Sequence, residues 1–95
     1  SIGKANAEII EFEVSSDAKV EGRKLSEIDF PSGTLINAII RDNKLVTPSG
    51  KTIINEHDIL YVLTDRKSKR DLENLLNQKK EVLEQEEKTP VTSNV

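Results

Sequence analysis

The chain opens with an alternation of apolar and polar positions. In EIIEFEV (Glu8–Val14), Ile10, Phe12 and Val14 fall on one side and Glu11 and Glu13 on the other, with Ile9 adding an apolar group to the wetter side. A period of two predicts a strand with one solvated face. The polar run SSDAKVEGRK predicts a loop punctuated by Gly22, and Leu25 and Ile28, three apart, predict a short helix after it. Pro31-Ser32-Gly33 breaks the chain before TLINAIIR (Thr34–Arg41), which is apolar in both alternation classes. Leu35 and Ile39 fall on one face of that strand, and Ile36, Ala38 and Ile40 on the other. Such a strand is expected to be buried on both sides, its second cover being a helix or a partner subunit.

Turns and short strands follow. Asp42-Asn43 predicts a two-residue hairpin turn, since Asn tolerates the positive φ that such turns require. KLVT returns as a strand, and Pro48 ends it in a PSGK turn that leaves Gly50 available for positive φ. TII (Thr52–Ile54) predicts another extended piece, NEHD a polar turn, and DILYVLT (Asp58–Thr64) the strongest strand of the set. From Lys67 to about Gln78 the period switches: Leu72, Leu75 and Leu76 are spaced for a helix, with Ser68 or Asp65 as its cap. The helix is expected to run on toward Glu87, and KTPVTSNV to be a disordered tail.

The order β-α-β-β-β-β-α predicts an α+β fold with a small, mostly antiparallel sheet, one short helix after the first strand and a C-terminal helix. Residues 1–7 are expected to be a linker or remnant, 8–78 the folded domain, and 79–95 the helix end and tail. Such an abrupt start is expected of a fragment of a longer protein.

Composition narrows the function. A folded unit of roughly 70–75 residues lies near the lower limit for a self-sufficient core, which favours a dimer or an attached module. With a formal charge of −3, one Tyr, two Phe and no Trp, the chain lacks the basic and aromatic character of a nucleic-acid binder. The absence of cysteine removes disulfide and zinc–thiolate chemistry, and no apolar run is long enough to span a membrane.

Candidate chemistry is sparse. His57 has no second His or Cys as partner and reads as a turn residue. Glu8, Glu11 and Glu13 read as the solvated face of a strand. The isolated glycines form neither a phosphate loop nor a dinucleotide fingerprint, and no serine sits in a nucleophile elbow, so no enzyme, catalytic residue, metal site or cofactor is expected. The cations Lys19, Arg23, Lys24 and Arg41 remain. Arg23 and Lys24 stand where the short helix begins, and backbone N–H groups there favour phosphate oxygens. With a two-fold partner, these cations would line a basic cleft for a two-phosphate ligand.

The ordered set Gly22-Arg23-Lys24-Leu25, Glu27-Ile28-Asp29, Ile39-Ile40-Arg41-Asp42, Pro48-Ser49-Gly50-Lys51-Thr52 and Asp58-Ile59-Leu60-Tyr61-Val62-Leu63 resembles the C-terminal RCK (TrkA-C) domain from about Glu8 to Leu76. One departure is His57, where that family usually has Gly. The resemblance implies a cytoplasmic regulatory domain of a bacterial membrane ion transporter: a cation channel, a cation/proton antiporter or a chloride channel-type protein. It implies a homodimer attached to the rest of the transport protein, with no direct membrane insertion and no direct nucleic-acid contact. It further implies cyclic di-AMP as the regulatory ligand at the dimer interface. On that resemblance the ligand residues are Ile9, Ile10, Ser16, Ala18, Lys19, Val20, Gly22, Arg23 and Lys24, with Ala18 and Val20 against the base. Ile36, Ala38 and Ile40 would form the dimer interface. The alternatives are a ligand-free dimerisation domain and the effector half of a transcription regulator.

Overall fold

The structure, a computed structural model, describes residues 6–81. Strand β1 (Ala7–Glu13) is followed by a short 3-10 helix (Leu25–Glu27), strands β2 (Thr34–Arg41), β3 (Lys44–Val46) and β4 (Ile59–Asp65), and helix α1 (Lys69–Asn77). The strands form an antiparallel sheet in the order β1-β4-β2-β3, which bears out the α+β class. The most apolar strand, β4, lies in the middle, paired on one side with β1 and on the other with β2.

Side-chain alternation gives the sheet two different faces. Leu60, Val62 and Thr64 of β4 are fully buried, opposite Phe12, Ile10 and Glu8 of β1. They face Leu72 and Leu76 of α1, which are also fully buried, and the core is completed by Val14, Ala18, Val20, Ile39 and Ile54. Helix α1 is thus amphipathic in the way its leucine spacing requires. Its entry is fixed by Asp65, whose Oδ1 accepts the Ser68 N–H at 2.8 Å, while the Ser68 hydroxyl donates to the Ser32 carbonyl at 2.6 Å.

Four local expectations are corrected. A β-bulge at Asn37 inserts an extra residue into β2, so that Ile36 lies opposite Val62 while Ala38 lies opposite Tyr61. A one-residue insertion flips every later side chain to the other face. Ile36 therefore shares the core face with Ile39, and Ala38 and Ile40 share the opposite face with Leu35. The anticipated strand at Thr52–Ile54 is an isolated bridge, Lys24 to Ile53. Pro48 has no N–H to continue the ladder, and the next segment pairs with the first loop instead, through Leu25 N–H to Thr52 O at 2.9 Å and Gly22 N–H to Ile54 O at 2.7 Å. Gly50 does not use positive φ; among the described residues the glycines that do are Gly22 (+82°) and Gly33 (+77°). Helix α1 ends at Asn77, because Gln78 is extended (φ −62°, ψ 141°), rather than running on. The remainder of the expected helix end and tail, 82–95, lies outside the described residues, as do 1–5.

The hairpin turn is as expected, with Asp42 and Asn43 at φ 52° and 65°. His57 also takes the left-handed conformation at φ 70°, as a residue in the place of a turn glycine must.

Candidate functional site

The cations nominated from sequence divide into engaged and available groups. Arg41 is engaged. Its Nε and Nη2 donate to the Asp58 carboxylate at 2.9 and 2.7 Å, and Nη2 also donates to the Ile53 carbonyl at 2.8 Å. Asp58 is 1% exposed and accepts the Asn55 N–H as well, at 2.8 Å. Burial alone would raise the Asp58 carboxyl, but the hydrogen bonds from Arg41 and Asn55, with the guanidinium charge, hold it below the usual carboxylate value. Arg41 thus staples the end of β2 to the turn before β4 and is not free for a ligand.

The loop between β1 and the 3-10 helix is a chain of tight turns. Ala18, Glu21 and Arg23 each donate a backbone hydrogen bond to the residue three before, at 3.1 Å. It lies against the end of α1, where Lys19 N–H donates to Gln78 O at 2.8 Å and Lys80 N–H to Asp17 O at 2.9 Å. A depression of about 200 Å³ opens there, lined by Lys19, Val20 and Arg23 from the loop, Glu27 and Asp29 beyond it, and Leu75 and Gln78 from the helix end. Lys19, Arg23 and Lys24 are exposed, and Arg23 leans on Glu27, donating to its carbonyl at 3.2 Å. Glu27 Oε1 in turn accepts the Lys24 N–H at 3.1 Å, so the N–H group foreseen as a phosphate donor is already used.

Other nominated residues lie elsewhere. Ala18 (0% exposed) and Val20 (4%) are buried in the core cluster, Val20 also lining the depression beside Lys19 and Arg23. Ile9 and Ile10 do not form one wall: Ile10 packs on the core and Ile9 looks out from the opposite face of the sheet. Ser16 is exposed on the loop, and Gly22 is exposed with open space where a side chain would stand.

That opposite face is open. Ile9 of β1 is 53% exposed, Leu35 of β2 60% and Leu45 of β3 67%. By register it also carries Ala38 and Ile40 of β2 with Ile59, Tyr61 and Leu63 of β4. Its β1 edge carries Glu11 and Glu13, and the Glu11 carboxylate across the strand pair from Tyr61 pushes the phenol above its usual value. Glu8 does not join them; it points to the other side and pairs with Lys69 of α1 at 3.1 Å. His57 is exposed, 3.7 Å from Glu13 and 3.6 Å from Glu56. Among the described residues no group of three or more His, Cys, Asp or Glu side chains is placed to hold a metal ion. None of their helices is long and apolar enough to cross a membrane.

The prominence of Leu35 and Leu45 was missed at the level of sequence. The signal was Asn37, a poor strand former set among apolar residues.

This arrangement meets a known family. The model of the TrkA-C domain matches residues 9–77. The chain belongs to the TrkA-C domain family. TrkA-C is a regulatory domain family rather than an enzymatic one. The chain is 35% identical over 69 residues to the Trk system potassium uptake protein TrkA homolog 2 of Methanosarcina mazei, covering 73% of this chain and 15% of that protein. It is 38% identical over 77 residues to the K(+)/H(+) antiporter NhaP2 of Shewanella sp. ANA-3, covering 81% and 13%. The chain therefore spans a small part of the length of these relatives. Among solved structures, an RCK domain with cda superposes with a TM-score of 0.64 at 25% identity, covering 73% of this chain and 97% of the other. The RCK_C domain dimer of S. agalactiae BusR in complex with c-di-AMP gives 0.63 at 22% identity, covering 73% and 95%, and shows the same fold.

Proposed function

We propose that this TrkA-C domain is the cytosolic regulatory module of a membrane potassium transport protein, acting as a homodimer that takes cyclic di-AMP between its two copies. The observation that carries the reading is the pairing of an unpartnered apolar sheet face with an exposed cationic loop on a domain of this family. Ile9, Leu35 and Leu45, with Ala38 and Ile40, supply the self-association surface, since an apolar patch of this kind marks an interaction site. A two-fold dimer then presents each loop twice, which matches a ligand with two phosphates and two bases. Lys19, Arg23 and Lys24 supply the charge, and the approach is over Ser16 and Gly22 rather than over Ala18 and Val20. Residues 8–78 are the regulatory unit.

Binding regulates transport only if the ligand favours one conformation or dimer geometry over another. The test joins light scattering to isothermal titration. The wild-type chain is expected to run as a dimer and to give heat with cyclic di-AMP. Leu35→Glu with Leu45→Glu yields a folded monomer, and Lys19→Ala with Arg23→Ala keeps the dimer but loses about tenfold or more in affinity, the loss of charge-assisted contacts. A wild-type monomer that gives no heat refutes the proposal. A dimer that gives no heat leaves the ligand-free dimerisation domain as the function, a reading favoured by the burial of Ala18 and Val20.

A further inference from the structure

The segment immediately after α1 is neither helix nor loose coil. Lys79 forms an antiparallel bridge with Ala18, flanked by the backbone hydrogen bonds from Lys19 to Gln78 and from Lys80 to Asp17. Its two lysines are both spent on the same loop. Lys79 Nζ lies 3.2 Å from Asp17 Oδ1 and donates to Ser15 Oγ at 2.9 Å, and Lys80 Nζ lies 2.6 Å from Glu21 Oε1. Ser15 Oγ donates to Asp17 Oδ1 at 2.9 Å, closing the network. The contacts to the loop span about sixty residues of sequence; apart from the Gln78 N–H, which donates to Leu75 O of α1 at 3.3 Å, the polar contacts of the segment go to the loop that carries Lys19 and Arg23.

Gln78 has a second role. It begins this segment and also lines the depression that Lys19 and Arg23 line. The bond that ties this wall to the loop, Lys19 N–H to Gln78 O, therefore exists only while the segment is docked.

We infer that Gln78–Lys80 is a latch that holds the Ser15–Arg23 loop shut against the helix end, so that whatever follows residue 81 is mechanically tied to the candidate ligand loop. The coupling to a ligand rests on the function proposed above; the latch itself rests on the contacts alone. Two backbone bonds and two partly exposed ion pairs are enough to dock a segment and too few to hold it permanently. A ligand that touches both the loop and Gln78 tightens the latch, and by reciprocity an opened latch weakens the ligand.

Hydrogen exchange on the full chain, read on residues 15–24, tests the latch. Lys80→Glu sets two negative charges against each other and is expected to speed exchange there about threefold to tenfold. The swap Lys80→Glu with Glu21→Lys restores slow exchange, and Lys80→Pro, which removes the N–H bound to Asp17, speeds it again. Exchange in the loop that is the same in wild type, Lys80→Glu and Lys80→Pro overturns the latch. The second arm uses cyclic di-AMP as probe. A wild-type chain that binds it shows slower exchange at residues 78–80 when bound, and Lys80→Glu raises Kd about threefold to tenfold, matching its effect on the loop. Unmoved exchange at 78–80 and an unmoved Kd overturn the coupling. A wild-type chain that does not bind the dinucleotide overturns the ligand proposal, while the exchange arm still decides the latch.

Discussion

Replacing Arg41 by Met isolates the one buried ion pair in the described part of the domain. The methionine stem keeps most of the packing of the arginine stem and removes the two hydrogen bonds to Asp58 and the one to the Ile53 carbonyl. Asp58 is then left 1% exposed with the Asn55 N–H as its remaining partner. Breaking a buried pair by removing one partner costs about 3–5 kcal/mol. Arg41 is itself 29% exposed in its side chain, so water relieves part of the loss. The expected destabilisation is about 2–4 kcal/mol at pH 7. With m near 1–1.5 kcal/mol/M in urea, the midpoint falls by roughly 2 M. Arg41→Lys falls between the two, because an ammonium cannot make the fork-to-fork pair.

The pH dependence separates this account from a simple loss of packing. In the wild type the folded Asp58 carboxyl titrates below its unfolded value of about 3.9. Its contribution is therefore complete above that value and is lost as pH falls through the lower folded one. In Arg41→Met, burial becomes the dominant influence and raises the same carboxyl. The folded variant then takes up its proton before the unfolded chain does, so its deficit is largest at pH 7 and shrinks as pH falls toward about 4. Urea titrations of both proteins at equal concentration, followed by far-UV circular dichroism at pH 7 and 4.5, read the two deficits directly. Equal deficits at the two pH values, or a deficit that grows on acidification, refute the electrostatic reasoning; a midpoint unchanged at pH 7 refutes the staple altogether.

Two backbone positions give further tests. Gly33→Ala places a Cβ at φ +77° against the Asp65 carboxylate, which caps the entry to α1, and is expected to cost about 2–4 kcal/mol in urea unfolding; a loss below about 0.5 kcal/mol refutes the contact. His57→Gly relieves a left-handed side chain whose two carboxylate neighbours are themselves exposed, and is expected to stabilise by about 0.5–1 kcal/mol, read as a higher melting temperature.

Much of the fold was legible because it depends on short-range pattern. Alternation in β1 and β4, leucine spacing in α1 and the Asp42-Asn43 turn all act within a few residues. The site was less legible because its contacts are distant in sequence. Asp17 and Glu21 look like ordinary loop acids until Lys79 and Lys80 arrive beside them. Ala18 and Val20 look like exposed loop residues, yet both are buried in the core cluster with residues far away in sequence. Arg41 looks like a free cation at a strand end, and no local pattern reveals that Asp58, seventeen residues on, consumes it.

The bulge at Asn37 shows how a single residue redistributes function across a small sheet. Without it, Ile36, Ala38 and Ile40 would share one face and Leu35 and Ile39 the other. With it, Ile36 and Ile39 both enter the core opposite Val62 and Leu60, so β2 still contributes two large apolar groups to the helix-covered side. The same shift leaves Leu35, Ala38 and Ile40 on the open side, where Leu45 extends the patch across β3 and Ile9 and Leu63 extend it toward β1. An apolar strand can thus furnish a core and an outward surface at once. A domain with so few residues has little other apolar surface to spend on a partner, since most of what it has is needed to stay folded. Asn37 fits that division physically: a bulge leaves one backbone position out of register, and a short polar side chain there remains exposed without burying a polar group in either layer.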